Sequence, residues 1–187
     1  MTLPTIYIFN IEINILAQIF GLIGLVFVVI AYQKKEKIDF LRFCNYQFFF
    51  TMIESILLLA ITGLIKIVVG IIRNYLVIYF IKKQKEMPKF LNVIFVLLVA
   101  IIGLFFVDKW FSILPIIASI ISTVVTCSKN FKLLKIGGIF VQILSMIYNI
   151  LVGAFVGFFR QTIILIAIIV GFVNYIKYEK NKYYKIG

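Results

Sequence analysis

Several residue types that build active sites are scarce in this chain. It has no histidine, only two cysteines and only seven acidic residues among its 187 residues. Without histidine, and with Cys44 and Cys127 far apart, we expect neither a zinc site nor a disulfide framework. The acidic residues stand singly, no Gly-rich phosphate loop occurs, and no nucleophile lies beside a base. The sequence therefore predicts no catalytic site, no metal and no cofactor.

Apolar residues, by contrast, are in large excess. They make up 64% of the chain, and the mean hydropathy is +1.14. A soluble domain is about half apolar and could not cover so much apolar surface. The apolar residues fall into seven stretches, each close to the roughly 20 residues that cross a bilayer core. We therefore expect an all-α membrane protein with seven transmembrane helices, multi-pass in the lipid bilayer of a cell membrane.

The expected spans are separated by short breaks. Tight turns are predicted at Thr62-Gly63 and at Gly157. The segment before the first span has no Lys or Arg, so it lacks the basic region of a signal peptide, and the span should be retained. The predicted spans cover residues 13–33, 43–61, 64–81, 90–107, 111–127, 136–155 and 162–178.

Positive charges indicate the orientation. Short loops rich in Lys and Arg stay in the cytoplasm, which places the N-terminus outside and the C-terminus inside. A net charge of +12 would suggest nucleic acid in a soluble protein, but these cations sit at span ends, where they meet anionic lipid headgroups. No nucleic-acid partner is expected. Fifteen of the nineteen cations follow the odd-numbered stretches: Lys34, Lys35, Lys37, Arg42; Lys82, Lys83, Lys85, Lys89; Lys129, Lys132, Lys135; Lys177, Lys180, Lys182, Lys185.

The chain also contains an internal repeat. Residues 19–83 align with 113–177 at a constant offset of 94, without a gap. Each segment has three spans, a basic loop after the first and a Gly-containing turn after the second, and one span separates the two. This pattern predicts a parallel 3+1+3 repeat about an axis along the membrane normal. The predicted units are a three-helix bundle (1–83), a linker with the fourth span (84–109), a second bundle (110–178) and a basic tail (179–187).

Glu54 and Arg73 are the charges expected deepest in the membrane. In a hairpin with its turn near residue 63, both lie about 14 Å below the outer surface. A lone charge at that depth costs at least about 3 kcal/mol, and pairing offsets much of this. Three interpretations stay open. The pair locks the second span to the third, or it forms one wall of a cavity, where Arg73 faces an anionic group of a solute and Glu54 takes up a proton, or the two side chains do not meet.

Other polar residues of the spans are candidates for solute contacts. Gln142, Ser145 and Asn149 follow i, i+3, i+7 spacing and form one helical stripe. Hydrogen bonding between helices explains such a stripe as well as cavity lining does. In the second span, Gln47 and Thr51 are further candidates. The predicted solute site comprises Asn45, Glu54, Arg73, Gln142, Ser145 and Asn149.

Six segments, in this order and spacing, carry a resemblance to a known family. The chain resembles the YgjV-type bacterial inner-membrane proteins, within the SWEET and PQ-loop transporter superfamily. The resemblance implies the 3+1+3 arrangement and an Asn substrate contact on the third and seventh spans, for which Asn74 and Asn174 are the matches. No Pro-Gln dipeptide occurs, so no proline hinge is implied in the first span. The segments are Gly21–Gly24, Tyr32–Lys35, Glu54–Gly63, Arg73-Asn74, Leu114–Ser119 and Tyr148–Gly157.

These observations support two functions. The first is a membrane carrier or facilitator of a small polar solute, working by alternating access between two three-helix bundles. Arg73 favours an anionic or zwitterionic solute over a neutral sugar. The alternative is a non-transporting seven-helix receptor or assembly factor of the same fold, since fold analogy supports both. Either is compatible with a homo-oligomer.

Overall fold

The computed structural model describes residues 7–8, 11–105, 107 and 109–184. Two short antiparallel strands, β1 (Tyr7–Ile8) and β2 (Ile11–Glu12), precede the first helix. The seventh helix continues through most of the predicted basic tail, because no helix-breaking residue interrupts it. The helices are α1 (Ile13–Gln33), α2 (Lys37–Leu57), α3 (Ile61–Lys82), α4 (Lys89–Leu104), α5 (Ile113–Cys127), α6 (Phe131–Val152) and α7 (Phe155–Tyr184).

Among the described residues, five of the seven helices are long and apolar enough to cross a membrane: α1, α3, α5 with the 3-10 turn before it, α6 and α7. α4 is apolar but has only 16 residues. α2 has 21 residues, but charged and amide side chains interrupt its apolar sequence. Large apolar side chains on the outer helix faces, such as Leu22, Val26 and Phe140, expose more than half of their surface. A lipid environment would cover these faces.

Both predicted turns lie a few residues earlier than expected. Gly63 and Gly157 are inside α3 and α7 rather than in the turns. Gly153 caps α6 with a left-handed φ of 76°, the usual way for a helix to end. Leu59 takes the equivalent left-handed conformation after α2, with φ 53°, although its Cβ disfavours it. The turn after α2 was therefore predicted too late in the sequence, because the prediction relied on a glycine and the left-handed residue of this turn is a leucine.

The helices form a ring in sequence order. Each packs against the next, α7 returns to pack against α1, and α3 also contacts α5. Gly21 and Gly24 in α1 let α2 come close: a Cβ on Gly21 would lie 2.5 Å from a carboxylate oxygen of Glu54. At Gly171 the approach is closer still, because a Cβ there would lie 2.0 Å from the carbonyl oxygen of Tyr32.

The apolar core lies at one end of the ring. Aromatic rings from α1, α2, α6 and α7 meet edge to face there, with centroid separations of 5.1 Å for Tyr32–Phe40, 5.7 Å for Phe40–Phe131 and 5.2 Å for Phe131–Tyr175. We call this end the basic end, because the Lys-rich connections α1–α2, α3–α4 and α5–α6 all join helices on this side. The basic end is closed by packed side chains.

Side-chain contacts join the connections between helices to one another and to α7 at the basic end. Lys129 forms a 2.6 Å ion pair with Glu86, joining the α5–α6 and α3–α4 connections. This interaction lowers the pKa of the Glu86 carboxyl, mainly through the hydrogen bond from Lys129. The Lys35 ammonium lies 4.8 Å from the ring centroid of Tyr178 near the end of α7. The segments predicted to lie on one side of the membrane thus meet at one end of the molecule.

Cysteine labelling tests which side of the membrane the basic end faces. In a variant without Cys44 and Cys127, a cysteine at Lys85 should resist a membrane-impermeant maleimide in intact cells, because Lys-rich loops stay cytoplasmic. A cysteine at Leu59, which is 83% exposed in the α2–α3 turn, should react. Labelling at position 85 but not at 59 would invert the orientation.

Candidate functional site

A cavity of about 490 Å³ lies inside the helix ring and is lined by every helix except α4. Its lining begins at Tyr32, Phe40 and Leu134 of the packed core and extends to Asn149 and Gly157, which lie within one turn of the α6–α7 connection. Its volume is within the range of small-molecule sites. The polar side chains of the lining are Tyr32, Cys44, Gln47, Thr51, Arg73, Asn74, Ser122, Thr126, Gln142, Ser145, Asn149, Arg160 and Gln161.

Arg73 dominates the electrostatics of this cavity. Its side chain is 8% exposed. It donates from Nη1 to Thr123 Oγ1 at 3.0 Å and from Nη2 to Asn74 Oδ1 at 3.3 Å, and Asn74 in turn donates to Asn45 Oδ1 at 3.0 Å. All these partners are neutral. Within the described part of the chain, Arg73 forms no ion pair, so its positive charge is uncompensated.

A second cavity of about 360 Å³ also borders Arg73 and is lined by residues of α2, α3, α4, α5 and α6. It shares Phe48, Ser122, Val141 and Ser145 with the central cavity and adds Lys66. Among the described residues, neither lining contains an Asp or Glu. The described surroundings of Arg73 are therefore cationic and neutral in both cavities.

The predicted polar stripe of α6 faces inward. Gln142, Ser145 and Asn149 all line the central cavity. Ser145 donates its hydroxyl to the carbonyl of Val141 at 2.8 Å, whereas the side-chain oxygen of Gln142 is buried and has no hydrogen-bond donor among the described residues. On α2, Gln47 and Thr51 line the same cavity and hydrogen-bond to each other at 3.0 Å.

The predicted ion pair between Glu54 and Arg73 is wrong. Glu54 pairs instead with Arg160 of α7, with 3.3 Å between Nη1 and Oε1, and it packs against Gly21 of α1. The hairpin argument set the depth of both residues but not the direction in which each leaves its helix. Residue 160 falls between the predicted sixth and seventh spans, but Arg160 lies in the second turn of α7 and lines the cavity.

The coupling between Glu54 and Arg160 can be measured by a double-mutant cycle. Their side chains are 18% and 30% exposed, so a charge left unpaired is partly screened. We expect Glu54→Gln to cost about 1–2 kcal/mol, and Glu54→Gln combined with Arg160→Gln to cost less than the sum of the single variants. Unfolding of the purified variants in detergent gives these values. Strict additivity would mean that the two charges do not interact.

Two further predicted residues lie outside the lining. Asn45 stands behind Asn74 and holds it by a hydrogen bond. Asn174 is exposed on α7, because the buried stripe of that helix passes through Ile168, Gly171 and Tyr175, and residue 174 points about 100° away from 175. Asn174 is therefore not part of this cavity, although the family resemblance implied a contact there.

Lys135, expected as a topology-setting charge at a span end, is fully buried, at 0% exposure. Its Nζ donates to the carbonyl oxygens of Tyr32 at 2.7 Å, Gly171 at 3.2 Å and Lys34 at 3.3 Å. It therefore caps the C-terminal end of α1, where the helix dipole favours a cation. The sequence carries one sign of this role. Lys135 continues the i, i+3, i+4 stripe begun by Phe131 and Leu134, both buried.

Lys37 caps the C-terminal end of α5, as Lys135 caps that of α1. It lies at the first position of α2, is 9% exposed, and donates from Nζ to the carbonyl oxygen of Ser128 just after α5. The two lysines thus connect α2 with α5 and α6 with α1, both at the basic end.

Long apolar helices with lipid-facing outer surfaces, arranged in a ring around a polar cavity, define a multi-pass helical membrane protein. Residues 15–182 match the model of the Imp-YgjV family, described as a bacterial inner membrane protein. The chain belongs to this family, and it is accordingly a multi-pass protein of the bacterial inner membrane. No curated protein and no solved structure matches it.

Proposed function

We propose that this protein is a carrier or facilitator of a small polar solute, and that the solute binds in the central cavity. The observation that carries the proposal is the uncompensated charge of Arg73, 8% exposed in the cavity lining. A charge at membrane depth is expensive and is typically retained for function. An anionic or zwitterionic solute would supply the missing negative charge. Asn74, Gln142, Ser145 and Asn149 offer the neutral hydrogen-bonding groups around it.

The internal repeat supports an alternating-access mechanism. Residues 33 and 127 end α1 and α5, residues 37 and 131 begin α2 and α6, and residues 61 and 155 begin α3 and α7, each pair separated by the offset of 94. The turns correspond as well. Ala60 N donates to Ser55 O at 2.8 Å, and Ala154 N donates to Asn149 O at 2.8 Å. Two structurally matching halves are what rocking between inward-open and outward-open states requires.

Contacts between the halves support the same proposal. The halves meet where α1 packs on α7 and where α3 contacts α5. An axis that relates α1 to α5 and α3 to α7 also relates the α1–α7 contact to the α5–α3 contact. The two contacts are therefore equivalent in the two halves. Thr51 of α2 and Ser145 of α6, again 94 residues apart, both line the cavity. The proposed solute site therefore lies on the axis between the halves, as in carriers built from parallel repeats.

The closed basic end fits one state of such a carrier. With the basic end in the cytoplasm, the packed aromatic rings close the cavity on the inner side, and the cavity extends towards the outer side. The proposal also includes seven spans in a 3+1+3 arrangement with the N-terminus outside. It further includes membership of the SWEET and PQ-loop superfamily.

Replacing Arg73 with Gln distinguishes a role of Arg73 in solute binding from a role in stabilising the structure. Solutes that raise the melting temperature of the purified protein would first be selected from a metabolite library, and their uptake then measured in proteoliposomes. We expect Arg73→Gln to abolish uptake. Its stability should be unchanged or higher, because removing a lone charge relieves about 3 kcal/mol of insertion cost.

Arg42→Gln is the matched control. Arg42 is 52% exposed and forms only an i, i+3 pair with Asp39, so this variant should transport normally. Normal uptake by Arg73→Gln, or a large loss of its stability, would assign Arg73 a structural role. Solute binding without any uptake would instead favour a non-transporting receptor.

A further inference from the structure

We infer that an anionic solute reaches Arg73 through the second cavity, with Lys66 as its first contact, and not through the part of the central cavity beside Arg160. We call the end of the molecule opposite the basic end the outer end. The inference rests on the proposed binding of a solute at Arg73 and adds its route and a further positioning residue. Two observations carry it: the two cavities are related by the repeat, and only one of them has its outer cation neutralised.

The two cavities are counterparts in the repeat. Seven of the fourteen residues that line the second cavity have a counterpart, 94 residues away, in the lining of the central cavity. Lys66 and Ile67 of α3 thus correspond to Arg160 and Gln161 of α7. Lys66 and Arg160 each stand five residues after the first residue of their helix, about 8 Å from its outer end. Each of these two helices therefore lines a cavity with a cation at the same depth.

Only the cation of the central cavity is paired. Arg160 pairs with Glu54 at 3.3 Å. The repeat places Tyr148 at the position of Glu54, so the second cavity lacks the equivalent carboxylate. Lys66 is partly buried and forms no ion pair within the part of the chain that the structure describes. The outer part of the central cavity is thus electrically neutral, whereas that of the second cavity is positive.

The positive charge continues inward along α3. Arg73 lies seven residues after Lys66, which is about 10 Å further along the helix and on the same face, and both line the second cavity. The counterpart of Arg73 on α7 is Ala167, so that helix adds no deeper cation. A cleft lined by charge of one sign attracts ions of the opposite sign. An anion would therefore meet two successive cations along α3 but a neutral ion pair along α7.

Charged thiol reagents measure this difference without knowledge of the solute. Ile67→Cys and Gln161→Cys place a cysteine at repeat-related positions, one in each cavity, in a protein without Cys44 and Cys127. Ser119→Cys, a nearly isosteric change, is a second reporter in the second cavity. The probes are 2-sulfonatoethyl methanethiosulfonate, an anion, and 2-trimethylammonioethyl methanethiosulfonate, a cation. The full-length protein is held in lipid nanodiscs, which keep a bilayer around the helices and expose both ends.

The measured quantity is the ratio of the anion rate to the cation rate, each divided by the rate for a small thiol in solution. This ratio cancels the reactivity of the cysteine and reports the local potential. We expect the anionic probe to be favoured about tenfold or more at position 67, and neither probe to be favoured at position 161.

Variants of the two outer cation sites should change these ratios in opposite ways. Lys66→Gln should lower the anion preference at position 67 by about tenfold, because it removes the unpaired charge, and Lys66→Arg should keep the preference. Glu54→Gln should create an anion preference at position 161, because it leaves Arg160 unpaired. Arg42→Gln, which removes an exposed cation outside both linings, should change neither ratio.

Three results would overturn the inference. The first is that neither Ile67→Cys nor Ser119→Cys reacts with either probe; where only Ser119→Cys reacts, its ratio takes the place of that at position 67. The second is an equal ratio in the two cavities. The third is an anion preference in the second cavity that Lys66→Gln leaves unchanged.

The proposed carrier function fails differently. If the second cavity favours the anionic probe as expected, but the solutes selected by melting temperature never enter proteoliposomes, transport is contradicted and the anion route stays. If an anionic solute is taken up by a protein whose two cavities show the same ratio, the route is contradicted and the carrier function stays.

Discussion

Gly171→Ala should cause one of the largest losses of stability that a single methyl group can produce in this protein. The added Cβ would lie 2.0 Å from the carbonyl oxygen of Tyr32. The Cβ is fixed rigidly to the backbone of α7 and the oxygen belongs to the backbone of α1, so the two helices must move apart. Such overpacking costs about 3 kcal/mol or more, which corresponds to a fall of about 6–12 °C in melting temperature for a chain of this size.

Gly63→Ala is the control for this variant. It makes the same change inside α3, where the new Cβ would lie 3.4 Å from the Ser55 hydroxyl, an ordinary contact. Because Ala is the better helix former by up to about 1 kcal/mol, the melting temperature should stay the same or rise. Equal melting temperatures for the two variants would contradict the close packing of α1 on α7.

Lys135→Met is the second change with a large expected effect. Methionine keeps much of the volume of the lysine stem but removes an ammonium group that donates to Tyr32, Lys34 and Gly171. The carbonyl oxygens at the end of α1 then lose a charged donor in a buried setting. Each buried acceptor left unpaired costs about 1–3 kcal/mol. We expect a total near 3 kcal/mol and a fall of about 6–12 °C in melting temperature.

Lys132→Met controls for the removal of a positive charge at the same end of α6. Lys132 is exposed, and its hydrogen bond to Asn130 is donated by the backbone N–H, which the substitution keeps. Its loss should leave the melting temperature within about 1–2 °C of the parent protein. If both variants melt at the same temperature, Lys135 does not hold α1 in place.

Local sequence patterns predicted the helices well. The first span, 13–33, coincides with α1, and the ends of the others differ by up to seven residues. Hydrophobic runs and charged breaks are properties of consecutive residues, so they can be seen without a fold. The turn after α2 was placed too late because glycine is the usual marker of a left-handed helix end, and here Leu59 occupies that position.

The candidate site was predicted only in part, for a geometric reason. Residues of one helix can be assigned to a common face from their spacing, and the α6 stripe does line the cavity. Partners on different helices cannot be assigned from sequence spacing, because the rotation of each helix about its axis depends on all of its neighbours. The pairing of Glu54 with Arg160 rather than Arg73 joins α2 to α7, a contact that no local pattern contains.

Composition and the placement of charge were sufficient to define a membrane protein with its cationic loops at one end, because lipid solvation and headgroup attraction act on each segment separately. The tertiary structure alone decided which polar residues face the central cavity and which charges are paired. Lys135 and Lys37 show the difference most clearly. Along the sequence both resemble the other loop lysines, yet both are buried against carbonyl groups of helices about 100 residues away, since only the closed ring brings those helix ends together.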